Sequence, residues 1–249
     1  MSEQRRQALE ALLATDAEQQ PGASRMSLLC GRCVSELGVS GAGATVLTHL
    51  SDGDGDGDGQ ATRRGLVHAS NDVSAGLEDL QLTVGEGPCL DTFTTGGPVL
   101  VDDLAQAHQR WPAFAEQAHT LGAAAVFSFP LQVGVIRLGS LDCYRDATGP
   151  LGQAAITDAL ILADLATHTI MTELDGHATD DVSWLADPHA EIHQASGMVR
   201  IQLGSSTEAA LLRMRAHAYT HELALTDVAR HIVARELRFS ADTDPDPLS

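Results

Sequence analysis

The 249 residues carry a formal net charge of −19 at pH 7, and 43% of them are apolar. A surface this acidic repels polyanions at long range, so it excludes nucleic-acid or anionic-membrane binding by the surface as a whole and confines any such binding to a local patch. The length suits one medium-sized domain plus one small module, and the apolar share is enough for a core.

The charge is uneven along the chain. Residues 1–188 sum to −17, whereas residues 189–239 hold six Arg against five acids and sum to +1. All 15 basic residues are Arg, which matches a compositional bias of the coding sequence.

In chain order, "MSEQRRQALEALLATDAEQQ" has no apolar run long enough for a secretory signal and reads as a helical extension over residues 1–23. A second helix is expected over 24–37, then a strand in "GVSGAGATVLTHL". "SDGDGDGDGQ" spaces Asp52, Asp54, Asp56 and Gly57 like a calcium loop. Its twelfth position is Arg63 where a bidentate Glu is needed, so it reads as a flexible acidic hairpin loop.

"RRGLVHAS" is a strand paired across that loop. "DVSAGLEDLQLTVGEGPC" gives a helix, a turn and a new helix start at Pro88. A strand in "GGPVLVDDL", a helix ending at Gly122, a hairpin turning at Gly134 and a long helix from about 149 to 174 follow. Strands at both ends with helices between them predict an α+β fold with a largely antiparallel sheet.

Cys30 and Cys33 form "CGRC". No second Cys or His pair completes a metal spacing, so both are expected as small apolar helix positions, and no redox role is assigned to them, to Cys89 or to Cys143. The longest apolar stretch, "LGAAAVFSFPLQVGVI", is too short and too interrupted to span a bilayer as a helix, so no membrane partner and a cytoplasmic location are expected.

"VGEGPCLDTFTTGGPVLVDDL", "WPAFAEQAHTLGAAAVFSFPLQV" and "GSLDCY", in this order of elements, resemble a GAF domain over residues 24–174. The resemblance implies a small-ligand pocket, lined here by residues 66–100 and 125–131, or a role in dimerisation. No cyclic-nucleotide signature and no cysteine suited to bilin attachment stands out, so no cofactor is implied and the ligand is left open.

Residues 175–187 are polar and turn-rich and read as a linker. Asp187 and Pro188 then make a helix start. Three helices are expected in 188–239, the first stopping at Gly204, the second capped by Ser205 or Ser206 with Glu208 as a capping box, and the third capped by Thr226 and ending near Arg238. Ile192, Ala195, Val199 and Leu203, then Ala210, Leu211, Met214 and Ala218, then Val228, Ala229, Ile232, Val233 and Leu237 form three apolar stripes, enough for a small bundle. The last residues, 240–249, are acidic, Pro-containing and expected to be disordered.

"IHQASGMVRIQLGSSTEAALLRMRAHAYTHELALTDVARHIV" resembles an ANTAR domain, the three-helix RNA-binding module of bacterial transcription antiterminators. The matches fall at Ala195, Gly197, Met198, Val199, Gly204, Ala209, Leu212, Arg215, Ala218, Leu225, Val228, Ala229 and Ile232. Many members carry Lys where this chain has Ser196. A GAF domain followed by an ANTAR domain is a familiar actinobacterial pairing. It implies a sensor-effector that binds RNA hairpins near RNA polymerase and controls elongation by antitermination, as a homodimer through the helices at 4–37 and 150–174.

The expected RNA-binding set is Ser196, Gly197, Arg200, Arg213, Arg215, His217 and Tyr219. Arg forks suit phosphate and Tyr stacks on splayed bases. Gly197 costs its helix roughly 1 kcal/mol against Ala. Either an RNA backbone or second helix approaches there, or the residue lies at a tight crossing inside the bundle. His217, His221 and His231 lack the neighbours for a metal site. No nucleophile with a base and no phosphate-cradling loop is found, so no enzymatic activity is expected. Two rivals remain: a helix-turn-helix DNA binder, for which "LTDVARH" offers few base-reading groups, and a protein-interaction module.

Overall fold

The computed structural model describes residues 2–50, 61–175, 190–221 and 223–240. The acidic loop, the linker with Asp187 and Pro188, and the tail from 241 lie outside the described residues, so the expectations placed on them are not addressed.

The chain runs α1 (Ser2–Gln19), α2 (Arg25–Leu37), β1 (Gly41–Leu50), β2 (Ala61–Ala69), α3 (Asp72–Val84), α4 (Pro88–Thr95), β3 (Val99–Val101), α5 (Pro112–Thr120), β4 (Ala125–Val133), β5 (Ile136–Arg145) and α6 (Gln153–Asp175). It continues with α7 (Ala190–Leu203), α8 (Thr207–Thr220) and α9 (Leu225–Val233). The five strands form one sheet in the order β2-β1-β5-β4-β3, every pairing antiparallel. The α+β class and the element order therefore hold.

Local chemistry sets the helix ends. Ser24 and Asn71 accept backbone N–H bonds from Ser27 and Ser74, capping α2 and α3. Pro88 opens α4, where its fixed φ suits a first turn and its missing N–H costs nothing.

Alternation along the strands sends successive side chains to opposite faces. Ala125, Phe127, Phe129, Leu141 and Cys143 enter a core shared with α1, α2 and α6. Val126 and Tyr144 face the other way, with Leu77 and Leu80 of α3 and Phe114 of α5. Cys30, Cys33, Cys89 and Cys143 are all buried and form no disulfide, and the first two occupy apolar helix positions as expected.

Arg5 staples α1 down: its Nε and Nη2 donate to Asp158 of α6 at 2.9 and 2.7 Å, and Nη2 also donates to Glu36 of α2 at 2.8 Å. Among the described residues, one helix segment, Gln153–Glu173 of α6, is long and apolar enough to cross a bilayer by length and composition. In the fold it is a core helix, with Ala159, Leu162, Ala166 and Ile170 buried against the sheet.

The C-terminal helices enclose their own core of Ile192, Ala195, Val199, Ala210, Met214, Ala218, Val228, Ala229 and Ile232, the stripes expected from helical spacing. Ser206 caps α8, accepting the Ala209 N–H at 3.1 Å. The third helix differs. Ala224, not Thr226, is its N-cap, and it ends at Val233 rather than near Arg238. Arg235 takes a left-handed φ of 64°, and the N–H groups of Glu236 and Leu237 both return to the His231 carbonyl. This closes the helix without Gly. The chain then folds back, with the Phe239 N–H on Gln202 Oε1 at 2.9 Å.

Candidate functional site

Of the seven residues expected at an RNA surface, the bundle presents some and withdraws others. Arg200 is exposed, and Tyr219 is 67% exposed. Gly197 lies on α7 with nothing within 4 Å of where a Cβ would stand. The tight intrabundle crossing, one of the two explanations for this glycine, is thereby corrected: no atom of the described residues requires a bare backbone at 197. Arg213 is half-buried.

Ser196 is not on the surface. It is 4% exposed, and its hydroxyl donates to the His193 carbonyl at 2.9 Å, a local bond that satisfies a polar group facing the core.

His217 is half-buried, stacked on His221 with ring centroids 4.0 Å apart, and meets the edge of Phe239 at 5.5 Å. Burial, and then the charge of His221, push its pKa below the usual 6.5, which favours the neutral ring.

Arg215 does not point from an outer face. Its Nε donates to the Leu82 carbonyl at the end of α3, at 3.0 Å. A cation suits that position, because the last carbonyls of a helix carry partial negative charge. Gly85 makes the approach possible. It caps α3 at φ 73°, and a Cβ there would lie 2.8 Å from Arg215 Nη1 and 3.0 Å from its Cζ. Leu82 enters the bundle core, and the Leu225 N–H reaches Thr83 Oγ1 at 3.4 Å. The C-terminal bundle is therefore docked on the sheet domain through the last turn of α3.

Within the turn before this latch, α3 closes a polar interior. Glu78 and Gln81 are 2% and 1% exposed. Thr45 Oγ1 donates to Glu78 Oε2 at 2.8 Å, and the Cys89 N–H donates to Gln81 Oε1 at 2.8 Å, which fixes the first turn of α4 against α3. From the sheet comes Asp142, 7% exposed, whose Oδ2 accepts from Ser140 Oγ at 2.6 Å. Burial, and then the charge of Glu78, raise the Asp142 pKa well above the ordinary carboxylate range.

A cavity of about 10 Å³ lies here, lined by Gly43, Glu78, Gln81, Asp142, Cys143 and Tyr144 among others. It falls partly within the expected lining, since Glu78 and Gln81 are in 66–100, but Asp142 was not anticipated. Its signal was present in "GSLDCY": alternation places Ser140, Asp142 and Tyr144 on one face, a pattern that reads as a solvent face until α3 and α4 are known to cover it.

No protein-family model matches the sequence, and no curated protein does. Among solved structures, the chain is similar to the GAF domain of a phosphoenolpyruvate-protein phosphotransferase from Coxiella burnetii, with 16% identity and a TM-score of 0.48 over 69% of this chain and 97% of that one. It is similar also to the GAF domain of the Acinetobacter phosphoenolpyruvate-protein phosphotransferase, with 13% identity and a TM-score of 0.47 over 70% and 98%. A third is Escherichia coli SdiA, with 10% identity and a TM-score of 0.45 over 93% and 100%. Likeness at this level carries no function across. The fold class rests on the chain's own strand pairing.

Proposed function

We propose that the chain is a non-enzymatic sensor-effector: a GAF-type sheet domain receives a signal, and an ANTAR-type bundle binds RNA stem-loops and controls transcription by antitermination. The observation that carries this reading is the unoccupied space over Gly197. A helix that forgoes roughly 1 kcal/mol of propensity there, with no packing need among the described residues, is accounted for by a second molecule that must come close. Arg200 and Tyr219, both exposed on the same bundle, supply a phosphate fork and a stacking ring. The paired bundles would come from a cytoplasmic homodimer, with RNA polymerase close to the nascent hairpin.

Arg215 takes a different role from the one its spacing suggested. It latches the bundle to the sheet domain, and α3 joins the latch to the polar interior, since Glu78 and Gln81 lie within about one turn of Leu82. A change in the interior that shifts α3 would alter the latch.

The test is retention of a stem-loop pool against duplex DNA in a mobility-shift assay at one fixed salt concentration, since affinity for polyanions falls steeply with salt. Preferential retention of stem-loops, weakened by Arg200→Ala and by Tyr219→Ala, is expected. Preference for duplex would favour the helix-turn-helix reading, and retention of neither would favour the protein-interaction reading. Either result removes RNA binding from the proposal.

A further inference from the structure

The polar interior holds a donor set that RNA binding does not use. Glu78 of α3, Cys89 of α4 and Asp142 of β5 each offer one ligand atom, and these three atoms lie within 4.8 Å of one another. Three separate elements supply them, and the residues are 2%, 0% and 7% exposed. We propose that Glu78, Cys89 and Asp142 bind a divalent transition-metal ion of the zinc or ferrous class, with a coordination position left open toward the adjoining cavity.

Four observations support this assignment. Atoms within 4.8 Å of one another share a point no more than about 2.8 Å from each, and small side-chain movements bring that to metal-ligand distances of roughly 2.0–2.3 Å. Among the described residues, Asp142 Oδ1 has no hydrogen-bond partner although the residue is more than nine-tenths buried. A buried carboxylate oxygen without a partner is costly, and a cation satisfies it.

Both carboxylates are also held by hydroxyls. Thr45 holds Glu78 at 2.8 Å and Ser140 holds Asp142 at 2.6 Å, as outer hydroxyls commonly steady ligating carboxylates. Finally, the cavity of about 10 Å³ has room for roughly one water and none for a nucleotide-sized ligand.

The donor types narrow the ion. A thiolate disfavours calcium and magnesium, which take oxygen ligands, whereas one sulfur with two carboxylates suits zinc or ferrous iron. Three protein ligands leave a fourth position for water or an equally small molecule. On binding, the Cys89 thiol proton and any proton held between the two carboxyl groups pass to solvent, and no oxidant or reductant is needed. The competing account is a proton shared by Glu78 and Asp142 with no metal. The site does not depend on the RNA reading, so failure of either leaves the other standing.

The test uses the full chain, stripped with a chelator and titrated with Co2+ alone. One ion per chain is expected, with a thiolate-to-cobalt charge-transfer band in the near ultraviolet that Zn2+ abolishes by displacement. Cys89→Ala should remove the band, while Glu78→Gln and Asp142→Asn should each weaken binding at least about tenfold. Cys33→Ala, which removes a thiol packed between α2 and the far face of the sheet, should keep the band. A wild-type chain without the band, or a band that survives Cys89→Ala, overturns the site and leaves the shared proton. Glu78→Gln preserves volume, so unchanged cobalt affinity in that variant overturns the site even if Cys89→Ala does not fold.

Discussion

Gly85 and Gly197 stand in opposite surroundings. At Gly85 the chain itself fills the space that a side chain would need, because the Arg215 guanidinium lies against the backbone and φ is 73°. At Gly197 the helix is regular and the space is open. Both positions look alike in the sequence, each a glycine near a helical stretch. The first is explained by a contact within the chain, and the second calls for a contact outside it. A glycine therefore indicates close approach only once its surroundings show which atoms, if any, approach.

The sharpest way to break this contrast is Gly85→Val. It combines a strained left-handed φ with a collision at Arg215, and it should cost about 1–3 kcal/mol in thermal or denaturant unfolding and detach the bundle from α3. Wild-type stability would mean that the docked arrangement is not the populated one. Next is Arg215→Ala, which removes a charged donor from the Leu82 carbonyl and should cost about 1.5 kcal/mol. Faster amide exchange at Leu225 and along the last turn of α3 is the accompanying sign, with RNA retention preserved. A loss of RNA retention would restore Arg215 to the contact surface instead.

The opposite result is expected at Gly197. Gly197→Ala meets no atom and should raise bundle stability by about 1 kcal/mol, whereas Gly197→Leu should fold normally yet lower stem-loop retention. If Gly197→Leu retains RNA like the wild type, close approach at 197 is untenable. Tyr219→Ala sharpens the contrast further: on an exposed position it should change stability by less than about 0.5 kcal/mol while weakening stem-loop retention.

The smallest effect is one of pH. His217 has a depressed pKa in the folded chain, so below the usual 6.5 the unfolded chain binds a proton that the folded one does not. That contribution to stability is present above pH 6.5 and is lost as pH falls. Bundle melting temperature should therefore drop on acidification, and His217→Gln should reduce the slope. An unchanged slope would place the titration elsewhere.

Much of the bundle was legible because helical spacing reports burial directly. Each apolar stripe faces the core it helps to form, and Ser206 caps α8 as its position suggests. Sequence reasoning failed where a side chain meets a distant part of the chain. Arg215 was expected at the RNA surface because the sequence around it describes only its own helix, while its partner lies 133 residues earlier. Ser196 was expected at the RNA surface, at a position where many ANTAR domains carry Lys, yet its hydroxyl is satisfied one turn back inside the core. The end of α9 was missed because Arg235 adopts a conformation usually left to Gly or Asn.

The polar interior shows the same division. Alternation in β5 was enough to put Ser140, Asp142 and Tyr144 on one face, and the Pro at 88 was enough to start α4. Whether that face meets water or other side chains depends on where α3 and α4 pack, which no local pattern specifies. The amino-acid order by itself determined the elements, their order and the apolar faces, since these follow from backbone preferences and side-chain periodicity over a few residues. Only the tertiary structure decided that Glu78, Cys89 and Asp142 converge, that Arg215 is a latch and that Gly197 stands open, because each depends on segments far apart in sequence being brought together or kept apart.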